Sequence, residues 1–314
     1  MIIYANLDQE ARWARTTLPR RVLERISAAA MLLASFAPEG EVVVIHTPTA
    51  VDPARVQFAR VDVRTGVPPH WDVAWANPTA EQANDRRLAL QLGHELGVGL
   101  GGARVIASLA ELDAHLAADG ADAGFERRWV CKAPWTAAGR DRAHGQGEVA
   151  DGELRVHLGR MLERFGALTF EPWLDRMIDL GVCVQLRPDG TMHIDRPHTL
   201  LSDARGNFLG IDIVEPALTP AEHAELGRVV HAAGTQLHGI GYAGPYTLDA
   251  FVYRDRGRRK LHPMCELNAR HTFGHVARAL HARLGTRMLG FGTAPPDARI
   301  LVAAGGDGVS AWAT

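Results

Sequence analysis

Lysine is nearly missing from this sequence. Of 34 basic residues only Lys132 and Lys260 are lysine, and all the others are arginine. Excess charge of one sign is missing too. The net charge of −2 leaves no global basic field to draw the chain to nucleic acid or anionic lipid. No apolar run reaches the length of a membrane span; SAAAMLLASF is too short. MIIYANLDQE does not read as a signal peptide, because its apolar run comes first and acids follow at once. Cysteine is sparse and odd in number. Cys131, Cys183 and Cys265 never pair as CxxC, which excludes a disulfide framework or a zinc knuckle and fits reduced thiols in a cytoplasmic protein. The GxxxxGK[ST] pattern is absent as well, which excludes a Walker-type phosphate loop.

What is present describes a globular chain. Its 314 residues, 46% hydrophobic and 22% charged, suffice for two or three packed units. Strand-like MIIYAN, a helical pattern over 19–36, strand-like EVVVIHTP, then WDVAWANP and a helix over AEQANDRRLALQLGHEL alternate as βα units. They predict a small open α/β domain over residues 1–102. Gly97, Gly99 and Gly102 formally match GxGxxG, but a helix precedes them and strand-like ARVIAS follows. That is the reverse of a dinucleotide fingerprint, so a helix end and a turn explain them.

From Arg104 the text reads as a short strand, a helix over ELDAHLAA, and strand WVCKAP. The segment WTAAGRDRAHGQGE has no apolar periodicity and is expected as a loop. A helix over ELRVHLGRMLERFG leads to LTFEPWL, and GVCVQLRPDGTMHIDRP predicts a hairpin turning at Pro188, Asp189 and Gly190. A helix from Pro220 to about His238 precedes two strands, TLDAFVY and MCELNAR, joined by a charged turn. A last helix carries Val276, Leu280 and Leu284 on one face.

Chemistry gathers on these elements. Glu266 and Asn268 lie two apart on a strand and so share a face. If the hairpin pairs around RDRGRR, Asp249 comes roughly opposite Glu266. The three then form the hard oxygen set that Mg²⁺ takes alongside phosphate and water. A solvated sheet face is the plainer reading of these residues by themselves. Lys132 is different. A compact point charge inside an apolar strand, in a chain that otherwise uses arginine, suggests a phosphate contact. Lys260, in RGRRKL, reads as a solvated turn.

The loop after Lys132, with Thr136, Gly139, Arg140 and Arg142, suits either closure over a polyphosphate or a plain surface loop. LTFEPWL ends as a nucleotide hinge can, or as a strand with a core tryptophan. His262, His271 and His275 surround the Asp/Glu/Asn set. In a chain with 15 histidines they read as surface or core groups rather than a transition-metal site. Cys265, next to Glu266, is expected to face the other side of its strand as core packing.

In this order the motifs resemble the ATP-grasp superfamily over about residues 104–275. The most specific part is Glu266-Leu267-Asn268-Ala269-Arg270, similar to the E-x-N-x-R of biotin carboxylase and carbamoyl phosphate synthetase. The resemblance implies an α/β fold in three parts: the N-terminal domain, a small lobe over 103–165 and a large lobe over 166–314. It implies ATP and Mg²⁺ as cofactors. Lys132, with Arg104 as a second cation, would meet the α/β-phosphates. Thr136, Gly139 and Arg140 would lie over them. Glu171, Pro172, Trp173 and Leu174 would hold adenine, and Asp179 the ribose. Asp249, Glu266 and Asn268 would hold the metal, and Arg270 would steady the transferring phosphoryl group. The implied activity is activation of a carboxylate as an acyl phosphate for an amine or other nucleophile. Its partners would be a small-molecule or peptide carboxylate and a nucleophilic acceptor, and a homodimer is compatible. A phosphotransferase and a non-catalytic ATP-binding module stay open beside it. Thr247 and Leu248, where D-alanine–D-alanine ligases carry an Arg before the metal Asp, set the chain apart from those ligases.

Overall fold

A computed structural model of the chain describes residues 1–118, 122–136, 140–148, 150, 152–203 and 206–314. Among these residues the strands form three sheets.

The first sheet is parallel. Ile2–Tyr4 lies between Val42–Thr47 and Val73–Ala74, and Arg60–Thr65 pairs outside Val42–Thr47. Parallel strands need covered faces. The apolar face of helix Arg20–Ala30 and the 3-10 turn Met31–Phe36 supplies that cover, with Met31, Leu32, Leu33 and Ala34 fully buried. The helix expected over AEQANDRRLALQLGHEL is interrupted. Gln82–Asn84 forms a 3-10 turn, and Asp85 then caps helix Arg86–Glu95 by accepting from the Arg87 N–H at 2.9 Å.

The second sheet is antiparallel, in the order Arg104–Ile106, Leu168–Pro172, Arg128–Lys132, Arg142–Gln146. Its last strand corrects the loop expected there. RAHGQ carries no apolar period, but its backbone pairs with Arg128–Lys132, from Arg128 opposite Gln146 to Lys132 opposite Arg142. Trp129 stacks across Gly145, where a Cβ would lie 2.0 Å from the indole. Helices Leu109–Ala117 and Gly152–Phe165 cover one face. They enclose a separate core of Ile106, Leu112, Leu116, Trp129, Cys131, Leu158, Met161 and Phe170. Strand alternation puts Lys132 and Glu171 on the other face.

The third sheet is the largest, with nine strands among the described residues. It runs Arg258–Asn268, Gly244–Asp255, Asp175–Leu186, His198–Ser202, Phe208–Asp212, Met288–Phe291, Ala311–Ala313, Arg299–Val302, and Met192–Ile194 closes a hairpin on Asp175–Leu186. Both expected hairpins form. Helix Pro220–Gly239, started by a Thr219/Glu222 capping box, buries Leu226, Val229, Val230 and Ala233. Helix Phe273–Leu284 buries Val276 and Leu280 in the same core, which continues into the first sheet.

Candidate active site

The metal-motif hairpin is in the expected register. Asp249 pairs directly with Glu266, and Thr247 with Asn268. Asn268 Nδ2 donates to Asp249 Oδ2 at 3.0 Å, and Arg270 Nη2 donates to Asn268 Oδ1 at 2.8 Å. The two carboxylates are shifted in opposite directions. Burial, and then the neighbouring Glu266, push the Asp249 carboxyl well above the usual carboxylate range. Burial would also raise Glu266, but Arg86, Lys132 and Arg270 together hold its carboxyl below its ordinary value.

Lys132, in the second sheet, lies near enough to Glu266 to lower its carboxyl. Its Nζ donates to Glu171 Oε2 at 2.6 Å, and both side chains are mostly buried. Asp249, Glu266, Asn268 and Arg270 are linked within the third sheet, and Lys132, paired with Glu171 in the second, acts on Glu266. Thr136 is engaged: its hydroxyl and carbonyl oxygens both accept from Arg86 at 2.7 Å. Arg140 is half-buried, and Gly139 lies outside the described residues.

Trp173 and Leu174 line a cavity of about 950 Å³, walled also by Asp179, Leu201, Ser202 and Phe291, while Glu171 and Pro172 are not among its lining. Pro172 ends its strand as a buried residue. The Trp173 backbone is already committed. Its N–H donates to Arg128 O at 2.8 Å, and its carbonyl accepts from Phe125 N at 2.7 Å. Asp179 is paired with Arg176 at 3.2 Å.

Two expectations are corrected. Arg104 does not join Lys132. It pairs with Phe170, which pairs with Cys131, so this row faces the second sheet's own core, and Arg104 lies exposed near His115. Cys265 is not packed in the core behind the hairpin. Between the Asp249–Glu266 and Phe251–His262 pairs, three residues of one strand oppose one of the other. At this bulge Cys265 lies 3.7 Å from Arg176 Nη2. Burial raises the Cys265 thiol and pushes Cys131 and Cys183 up to about 12, so all three stay protonated.

The histidines form no metal cluster. Among the described residues no three His, Cys, Asp or Glu side chains gather in metal-holding geometry. His271 Nδ1 lies 2.9 Å from Ala74 O, and His275 Nδ1 lies 3.2 Å from the Thr272 N–H.

Comparison with known proteins rests on structure. No family model matches the sequence, and no curated protein matches it. The biotin carboxylase domain of Hydrogenobacter thermophilus 2-oxoglutarate carboxylase superposes with a TM-score of 0.61 at 14% identity, over 99% of this chain and 85% of that one. N5-carboxyaminoimidazole ribonucleotide synthetase from Thermus thermophilus gives 0.58 at 14% identity, over 100% and 93%. Phosphoribosylamine–glycine ligase from Thermotoga maritima gives 0.54 at 14%, over 100% and 89%. The chain has the ATP-grasp fold.

Three residues around these side chains went unseen in the sequence. Arg86, at the start of its helix, reaches Glu266 Oε1 at 2.6 Å. Glu10, buried on the short helix Gln9–Trp13, sits 2.5 Å from Arg270 Nε. Arg176 lies over the Phe251 ring, 4.0 Å from its centroid, and joins Asp179 and Cys265. The pairs made by Arg86 and Glu10 are remote in sequence, so no local pattern announces them. Arg176 stood near the hinge motif, and its proximity to Trp173 was the available signal.

Proposed function

We propose that this chain is an ATP- and Mg²⁺-dependent ligase that activates a carboxylate as an acyl phosphate and passes the acyl group to an amine or another nucleophile. The observation that carries this reading is the register of Asp249 opposite Glu266, with Asn268 and Arg270 following on the same strand and Lys132 facing them. The fold supports it: the carboxylase domain named above was solved with ADP, magnesium and bicarbonate.

The side chains fit the metal. Burial and then the neighbouring Glu266 raise the proton affinity of Asp249, which a shared cation would relieve, and Asn268, whose Oδ1 accepts from Arg270, would complete an all-oxygen donor set. Asp249, Glu266 and Asn268 would hold Mg²⁺, which would supply charge neutralisation at the phosphate oxygens. Lys132 would exchange Glu171 for the polyphosphate. Trp173, Leu174 and Asp179 would receive the nucleoside in the cavity they line, with Glu171 and Pro172 preceding them on the strand. Arg270, steered by Glu10 and Asn268, would stabilise the phosphoryl group in transit. A carboxylate has a poor leaving group. Phosphorylating it turns one carboxylate oxygen into a phosphate leaving group, and a nucleophile then takes the acyl carbon. The substrates would be a small-molecule or peptide carboxylate and a nucleophilic acceptor.

Isotope tracing tests this. Carboxylate substrate labelled with ¹⁸O should pass one label into inorganic phosphate while ADP is released, and hydroxylamine should trap a hydroxamate. Unlabelled phosphate would leave a simple ATPase, and a stable phosphorylated product would mean a phosphotransferase. AMP with pyrophosphate would mean adenylate chemistry.

A further inference from the structure

The row formed by Asp249 and Glu266 continues across the sheet. Gly181 pairs with Asp249 on its other side, and His198 pairs with Gly181. His198, Gly181, Asp249 and Glu266 thus occupy one row on four adjacent strands, and residues in such a row share a face. Gly181 has no side chain to fill its place. A Cβ there would lie 2.7 Å from His198 Nε2 and 3.3 Å from Asp249 Oδ1. The imidazole therefore leans over the glycine, and its Nε2 faces the carboxylate across the space the glycine leaves.

His198 is 1% exposed, and neither ring nitrogen has a hydrogen-bond partner among the described residues. A second glycine leaves room at the same Nε2–Cε1 edge of the ring. A Cβ at Gly274 would lie 2.7 Å from the ring Cε1 and 2.8 Å from Cys183 Sγ. Two glycines thus make a slot for one imidazole. An aliphatic side chain would fill the slot without burying unpaired nitrogens, so the packing alone does not account for a histidine.

We propose that His198 is a positioning residue for Asp249: its Nε2–H reaches the carboxylate through one water above Gly181 and fixes which oxygen faces the metal. This inference rests on the reading that Asp249, Glu266 and Asn268 hold a divalent cation. Outer partners of metal-binding carboxylates orient the ligand, and losing one typically lowers metal affinity ten- to a hundredfold.

The test uses Mn²⁺ binding to the full chain saturated with ADP, followed by electron paramagnetic resonance, with ADP affinity in EDTA and the melting temperature measured alongside. His198→Leu should weaken Mn²⁺ binding about tenfold or more and leave ADP affinity in EDTA unchanged. His198→Gln, whose amide can still donate, should recover part of the loss. Should His198→Leu not fold, His198→Phe fills the slot without an N–H and gives the same comparison. Wild-type Mn²⁺ affinity in a folded variant lacking the N–H would overturn the inference. Failure of the underlying metal reading looks different: wild-type protein would bind no Mn²⁺ beside ADP, or Glu266→Ala would bind it as wild type does.

Discussion

Arg86 Nη2 lies 2.6 Å from Glu266 Oε1 across 180 residues of sequence, and the same guanidinium donates to Ala133 O and to both oxygens of Thr136. One side chain thus joins the N-terminal unit, the segment after Lys132 and the strand of the metal motif. Arg86→Ala should lower stability by about 2 kcal/mol, the scale of hydrogen bonds to a charged group, read as a lower urea midpoint. Arg86→Lys should recover only part, because an ammonium cannot span the fork's four acceptors. An unchanged midpoint in Arg86→Ala would show that the tie contributes nothing.

Lys132 is held by Glu171 and is proposed to release it for phosphate. Lys132→Ala should weaken ATP binding by about 2 kcal/mol, roughly thirtyfold, for loss of one charge-assisted contact. Lys132→Arg should not restore it, since the planar guanidinium is too broad for a point-charge position. Calorimetry on folded Lys132→Ala that returns wild-type affinity removes Lys132 from the site.

The metal set should behave as a unit. Glu266→Ala should nearly abolish turnover, and Asn268→Ala should raise the Mg²⁺ concentration needed for half-maximal rate. The double variant should lose less than the two singles added together. Wild-type ATP turnover by each single variant at low Mg²⁺ would show that these residues hold no catalytic metal.

Acid should destabilise the fold through its buried imidazoles. Burial pulls His198 from 6.5 down to about 3 and His262 to about 4. Above about pH 6.5 folded and unfolded rings are both neutral, and this stability is fully present. Below it the unfolded chain binds protons that the folded chain refuses. Stability then falls by about 1.4 kcal/mol per pH unit per histidine until the folded value is passed. His198→Leu should flatten this loss between pH 6 and 4 in urea titrations, and an equal slope in wild type and variant would rule out His198 as a source.

The site's central hairpin was legible because its signals are local. Alternation over TLDAFVY and MCELNAR and the charged turn between them suffice to set Asp249 against Glu266. The bulge beside Cys265 leaves no trace in periodicity, since its two extra residues alter the pairing without changing composition. Arg142–Gln146 was unreadable as a strand because its pairing partner, not its own side chains, makes it one. Arg104 was misplaced by a similar limit: its motif position was visible, but the face it takes depends on register with Phe170. The break before helix Arg86–Glu95 could have been seen, since Asp85 is a good cap ahead of the apolar period.

The second sheet keeps a core of its own, apart from the one shared by the other two. Much of what fastens it to them is polar: Arg86 to Thr136, Trp135 Nε1 to Glu81 O at 3.0 Å, and Arg142 to Asn207 at 3.2 Å. Parting such a joint exposes little oil to water, and each bond let go can be remade with solvent. Among the described residues the second sheet is therefore packed as a unit of its own, and its polar ties to the rest can be traded for water at little cost.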